Sequence, residues 1–167
     1  METADGAAPA TPRGAAPGPG PGSAFLLSQL GAHAAMAFAD RIGALDLTPP
    51  QTGLLRAVAA APGQSQQALA TMLGTPPSRL VALVDQLGER GLVERRRNPA
   101  DRRLHALHIT SAGEKLLRRI ADVGREHDDA LCAALDDGER ATLRALLQRI
   151  ADEQGLTPGV HPGYRKV

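Results

Sequence analysis

The chain has 167 residues, enough to bury one ordinary core, and nothing in its length requires a second independent domain. Its 19 Lys and Arg against 18 Asp and Glu leave a net charge of +1, so total charge selects no partner and only its distribution can. Aromatic residues are 2% of the chain with no Trp, which argues against base stacking as a way to hold single strands, and a single cysteine, Cys132, excludes an intrachain disulfide framework.

Residues 1–22 are mostly Ala, Pro and Gly with almost nothing to bury, which predicts a disordered tail. Its spaced glycines do not make a phosphate loop, because no strand precedes them and the prolines remove backbone donors. Glu2 and Asp5 stand where a secretory signal carries Lys or Arg, and no apolar run nears the roughly 20 residues of a membrane span. A soluble, cytoplasmic protein without a membrane partner is expected.

From Ser23, the residues Leu26, Leu27, Leu30, Ala34, Phe38, Ile42 and Leu45 recur at helical spacing, predicting an amphipathic helix to about Leu45. Thr48-Pro49-Pro50-Gln51 supplies a cap, first-turn prolines and a capping-box Gln for a second helix that Pro62-Gly63 ends. Ser65 caps a short third helix closed by Gly74, and Thr75-Pro76 starts a fourth, so two helices joined by a brief turn suggest a helix-turn-helix. In the fourth, Leu80, Leu83, Val84 and Leu87 form one stripe while Ser78, Ala82, Asp85 and Glu89 fall opposite. Gly91 suits the left-handed position after that helix. Two β-like stretches, 92–95 and 104–109, flank the turn-prone Asn98-Pro99-Ala100-Asp101 and predict a hairpin wing. Thr110, Ser111 and Glu114 start a long fifth helix, and Asp136 with Glu139 caps a sixth bearing Leu143, Leu146, Leu147 and Ile150.

The expected fold is therefore mainly α with a small β-hairpin wing, a winged helix-turn-helix plus a helical dimerisation region. Residues 23–154 form the domain, with dimerisation helices over about 23–46 and 111–154, the winged helix-turn-helix over about 48–110, and a C-terminal tail over 155–167. The first, fifth and sixth helices carry more apolar surface than one small lobe can cover, which predicts a homodimer.

Six arginines, Arg90, Arg95, Arg96, Arg97, Arg102 and Arg103, crowd the wing with only Glu94 and Asp101 to offset them. Phosphates are the natural target of such a cluster beside a helix that can enter a major groove, and the alternative is a basic loop that solvates itself. Asp101 could accept from Arg103 and hold its guanidinium in one direction; a turn-stabilising ion pair is the plainer reading.

Taken together, Leu47-Thr48-Pro49-Pro50-Gln51, Gln64-Ser65-Gln66-Gln67-Ala68-Leu69-Ala70, Val84-Asp85-Gln86-Leu87, Arg90-Gly91-Leu92-Val93-Glu94-Arg95, Asn98-Pro99-Ala100-Asp101-Arg102-Arg103 and Ile109-Thr110-Ser111-Ala112-Gly113 resemble the multiple-antibiotic-resistance regulator (MarR) family. The resemblance runs from about Phe25 to Glu153. It implies an obligate dimer with interleaved first, fifth and sixth helices, a fourth helix in the major groove and a wing in the minor groove. Ser78, Arg79, Val81 and Ala82 match the reading face, and Asp101 and Arg103 the wing pair. Ala82 and Gln86 stand where relatives often carry Arg; on the reading face so implied, Arg79 could pair with guanine, Gln86 with adenine or a phosphate, and Val81 and Ala82 could meet thymine methyls. The double-stranded DNA contacts so expected come from Ser65, Gln66, Ser78, Arg79, Val81, Ala82 and Gln86 on the helices, and from Arg95, Arg97, Asp101, Arg102 and Arg103 on the wing.

The resemblance further implies a repressor, less often an activator, on a pseudo-palindromic operator, released by a small-molecule effector in a cleft of the first, second and fifth helices. His33, Met36, Arg41 and Arg56 are the candidate lining. Urate is disfavoured as effector by the lack of Trp. Two alternatives stand beside this reading: a winged-helix protein-interaction module, and thiol-based redox sensing through Cys132. A reactive thiolate needs a cationic neighbour or helix N-terminus, whereas Cys132 has Asp128 and Asp129 nearby, so structural burial is expected. The histidines His33, His105, His108, His127 and His161 are scattered, and His105 and His108 point to opposite faces of a strand, so no metal site is expected. No triad, metalloprotease motif or nucleotide loop occurs, so neither a cofactor nor an enzymatic activity is expected.

Overall fold

The computed structural model describes residues 20–97 and 105–161. The expectations for the N-terminal tail up to residue 19, for the wing tip at Asp101, Arg102 and Arg103, and for residues 162–167 lie outside the described residues. The elements are α1 (Ser23–Gly43), α2 (Pro49–Ala60), α3 (Gln66–Leu73), α4 (Pro77–Glu89), β1 (Val93–Arg97), β2 (His105–Ile109), α5 (Ser111–Leu131) and α6 (Asp137–Glu153). Among the described residues no helix is long and apolar enough to cross a membrane.

Local chemistry sets most of the boundaries. The Thr48 side chain accepts from the Gln51 N–H while the Gln51 side chain takes the Thr48 N–H, a complete capping box with prolines in the first turn of α2. The Ser65 hydroxyl accepts from Ala68 N at the start of α3, and Gly74, at φ 61°, ends it in the left-handed region open to glycine. α4 begins at Pro77, a little later than expected: Pro76 occupies the cap position and offers no side-chain acceptor, and Thr75 is drawn into the turn. There its Oγ1 is buried, with no hydrogen-bond partner among the described residues. The Asp136 and Glu139 side chains complete a second capping box at α6.

Ile42, Leu54, Leu55, Leu69, Leu80, Leu87, Leu107 and Ile120 form the centre of the core, drawn from α1 to α5 and β2. α4 inserts the stripe expected of it, Leu80, Leu83, Val84 and Leu87. The hairpin is antiparallel from Val93 opposite Ile109 to Arg97 opposite His105. The outer edge of β2 is covered as well, because Gly63 N donates to Leu107 O and Leu107 N to Gln64 O, at 3.0 and 2.9 Å. This places the segment before α3 against the hairpin and fixes the helix-turn-helix to the wing base.

Two joints fasten that lobe to the long helices. Asp46, at φ 54°, turns the corner after α1, and the Arg90 guanidinium at the end of α4 donates to the carbonyl of Asp46 and, at 3.5 Å, to that of Leu45. At the other side Thr110 caps α5 through Gly113 N, and its hydroxyl donates to Gly91 O at 2.6 Å. A β-carbon on Gly113 would lie 2.2 Å from Leu92 O, so α5 meets the strand backbone directly.

α6 has no buried residue in the chain: Leu143, Leu146, Leu147 and Ile150 are all exposed, as are Phe25, Leu26, Leu27 and Leu30 on α1. The segment after α6, expected as a tail, folds back so that Val160 packs on the core.

Candidate nucleic-acid interface

α3, the turn through Gly74-Thr75-Pro76, and α4 form the helix-turn-helix, and the buried stripe of α4 decides what its other side presents. Ser78, Val81, Ala82, Asp85, Gln86 and Glu89 are exposed there, and Arg79 is half-buried in the first turns. Val81 is 41% exposed, an apolar side chain that its own lobe leaves uncovered. Small and apolar groups in the middle of the face allow close approach, and the polar groups at its ends can hydrogen-bond base edges or phosphates.

The arginine cluster is sorted by the fold. Arg90 is spent on the corner carbonyls of Asp46 and Leu45 and faces the α1 side of the lobe. Arg95 reaches from β1 to the Asp85 carboxylate on α4. Oriented with its oxygen toward the guanidinium, the Gln66 amide accepts from Arg95 Nε at 2.8 Å and Nη2 at 3.2 Å. Arg95 thus ties α3, α4 and β1 together and neutralises an acid on the outward face of α4. Arg96 pairs with Glu94, two residues away on the same side of the strand. These are surface pairs worth about 0–1 kcal/mol each, so they organise the face more than they stabilise the lobe.

Two further expected contacts have partners within the domain. The Ser65 hydroxyl is engaged as the α3 cap. The Gln86 Oε1 accepts from Gln51 Nε2 at 2.9 Å, which leaves its own amide donors facing outward. Helical phase places Asp85 on this face, but not its pairing with Arg95, nor the support that buried Gln51 gives Gln86; neither contact has a spacing rule, because each partner is distant in the chain.

A cavity of about 500 Å³ opens between α1, α2 and α5. Phe38, Thr52, Arg56 and His127 line it, with the Phe38 and His127 rings 5.6 Å apart and tilted by 55°. Of the expected lining residues, only Arg56 is there. His33 and Met36 lie off the Ala34, Ala35 and Phe38 face of α1 and are exposed, and Arg41, in phase with Phe38, sits a turn further along, beyond the lining. Cys132 is half-buried at the C-cap of α5, less enclosed than expected.

A helix-turn-helix with an outward second helix, flanked by an arginine-bearing hairpin and carried on long helices, defines a winged-helix DNA-binding protein. A model of the MarR family matches residues 45–104. A putative transcriptional regulatory protein for the hcr operon of Thauera aromatica is 40% identical over 112 residues, covering 67% of this chain and 68% of that protein. Transcriptional regulator HosA of Escherichia coli O111:H- is 31% identical over 105 residues, 63% of this chain and 78% of the relative. Among solved structures, MarR superposes with a TM-score of 0.70 at 27% identity, covering 81% of this chain and 92% of MarR. The transcriptional repressor CouR, bound to a 23-mer DNA duplex, gives 0.68 at 33% identity, covering 77% of this chain and 92% of CouR. The chain belongs to the MarR family.

Proposed function

We propose that this protein is a homodimeric transcriptional regulator that binds a pseudo-palindromic operator, with α4 in the major groove and the hairpin directed to the minor groove. It acts as a repressor released when a small molecule occupies the cavity between the long helices and the DNA-binding lobe. The observation that carries this reading is the outward face of α4, held by its buried stripe and left with Ser78, Val81 and Ala82 uncovered. Support comes from CouR, a repressor bound to DNA at 33% identity. On this reading the protein works in the cytoplasm and catalyses no reaction.

The test is selection of bound fragments from genomic DNA, footprinting, and titration of the selected site at several salt concentrations. Binding should weaken steeply with salt because phosphate contacts release counterions. Arg79→Ala should cost about 1–3 kcal/mol at the preferred site and relax base preference at one position per half-site. Weak, salt-insensitive binding without a preferred site would instead favour a winged-helix module that docks on protein.

A further inference from the structure

The chain after α6 is built, residue by residue, to return to the body of the protein. Gly155 takes the left-handed conformation at φ 63°, and Leu156 N donates back to Ala151 O at 3.0 Å, the arrangement that ends a helix and reverses its path. Thr157-Pro158-Gly159-Val160 then makes a tight turn, closed by Val160 N to Thr157 O at 3.2 Å, with Gly159 at φ 70°. Pro followed by a left-handed Gly is the residue pair such a turn requires. The turn sets Val160 against the core and brings Gly159 and His161 into the wall of the cavity of about 500 Å³, beside Phe38, His127 and Arg56.

The cavity has the volume of a site for a drug-sized molecule, and its lining is mainly apolar. Its cation is distinctive. Nearby, Arg125 pairs with Asp122, Arg140 with Asp129, and Arg144 with Asp128 at 3.6 Å. Arg56 lies against α5, where a β-carbon on Gly124 would be 4.0 Å from its Nη2, and it has no hydrogen-bonding or ionic partner among the described residues. An unmatched guanidinium at the edge of an apolar chamber suits a ligand with one anionic group on an apolar, ring-bearing body.

We propose that residues 156–161 are a strap that completes this chamber, so that the retention of a small organic anion is set by the C-terminal segment as well as by the helices. The proposal rests on the reading of the cavity as the effector site. Helices α1, α2 and α5, with Leu73 of α3, form a groove, and the strap adds a wall to it through Gly159 and His161. Among the described residues Val160 is its one apolar side chain packed on the core, and Leu156 at its start is exposed. A segment so held opens at low cost, admits the ligand and closes behind it, and its loss acts mainly on the dissociation rate.

The full-length protein is titrated with 8-anilinonaphthalene-1-sulfonate and with N-phenyl-1-naphthylamine, which share an aromatic body and differ in the anionic group. Circular dichroism, dimer mass and operator affinity serve as controls, since partly unfolded chains also take up the anionic dye. Expected are saturable binding of one probe per chain, a loss of about tenfold for the sulfonate but not the neutral probe in Arg56→Met, and faster release of both in Val160→Ser by about fivefold or more at unchanged operator affinity. Should Val160→Ser lose its dimer, His161→Ala at the outer end of the strap provides the same reading. Probe binding that responds to Arg56→Met but not to either strap variant overturns the strap and leaves the effector site standing. Absence of saturable binding, or binding indifferent to Arg56, overturns the effector site itself.

Discussion

Gly113 lacks a side chain at the one place where the Leu92 carbonyl needs the room. An added β-carbon would also meet Ile109 Cγ1 at 2.6 Å, and a backbone carbonyl cannot swing away as a flexible side chain can. Gly113→Ala should therefore destabilise the protein by about 1–3 kcal/mol, the usual range for overpacking, seen as a lower melting temperature by circular dichroism. An unchanged melting temperature would mean that α5 does not approach the strand this closely. Gly113 was visible in the sequence only as the last residue of the block from Ile109 to Gly113, since the atom that crowds it belongs to a residue 21 positions earlier. The arginines show the same divide. Their clustering is a property of the sequence, but the acceptors that claim Arg90 and Arg95 come from the α1 corner and from α4, and no spacing rule links them. Helical phase likewise hid the cavity lining: apolar spacing marked Phe38 as inward, while nothing local told His33 and Met36 from residues of the chamber.

At the scale of elements the sequence was most legible where the chemistry is local. The Thr48 and Asp136 capping boxes, the Ser65 cap, the left-handed Gly74 and Gly91, and the α4 stripe all depend on residues within a turn or two of one another, and all formed. The start of α4 and the turn after α6 were harder to read. The first follows from a Pro that cannot cap by side chain, the second from a docking that only tertiary structure supplies. α6 is the opposite case, a helix whose stripe was clear and which finds no cover for it among the described residues. Leu146 is 48% exposed there. If that stripe closes a twofold interface, Leu146→Asp counts twice, and at about 1.5–3 kcal/mol per buried Leu the dimer should lose about 3–6 kcal/mol. Light scattering should then find a dimer for the native protein at micromolar concentration and a smaller species for the variant; a folded native monomer would refute the interface.

For the molecule as a whole, the two joints matter more than any single contact. Arg90 holds the corner after α1, and Thr110 and Gly113 hold the base of the hairpin, so the lobe is tied to the long helices at two points, and a ligand that releases DNA must act against both. In a dimer the separation of the two α4 helices is then a length fixed by protein rather than adjusted by DNA, and the protein becomes a ruler. A winged dimer meets successive major grooves about 34–36 Å apart, one turn of 10–10.5 base pairs. One base pair inserted at the centre of an operator lengthens that span by about 3.4 Å and turns one half-site by roughly 35° about the axis. A hinged lobe would follow the change; a lobe bolted at both ends cannot. Such an operator, with every contacted base intact, should bind more weakly than one carrying a single substitution in a half-site, and a gel-shift comparison of the two would measure how stiff those bolts are.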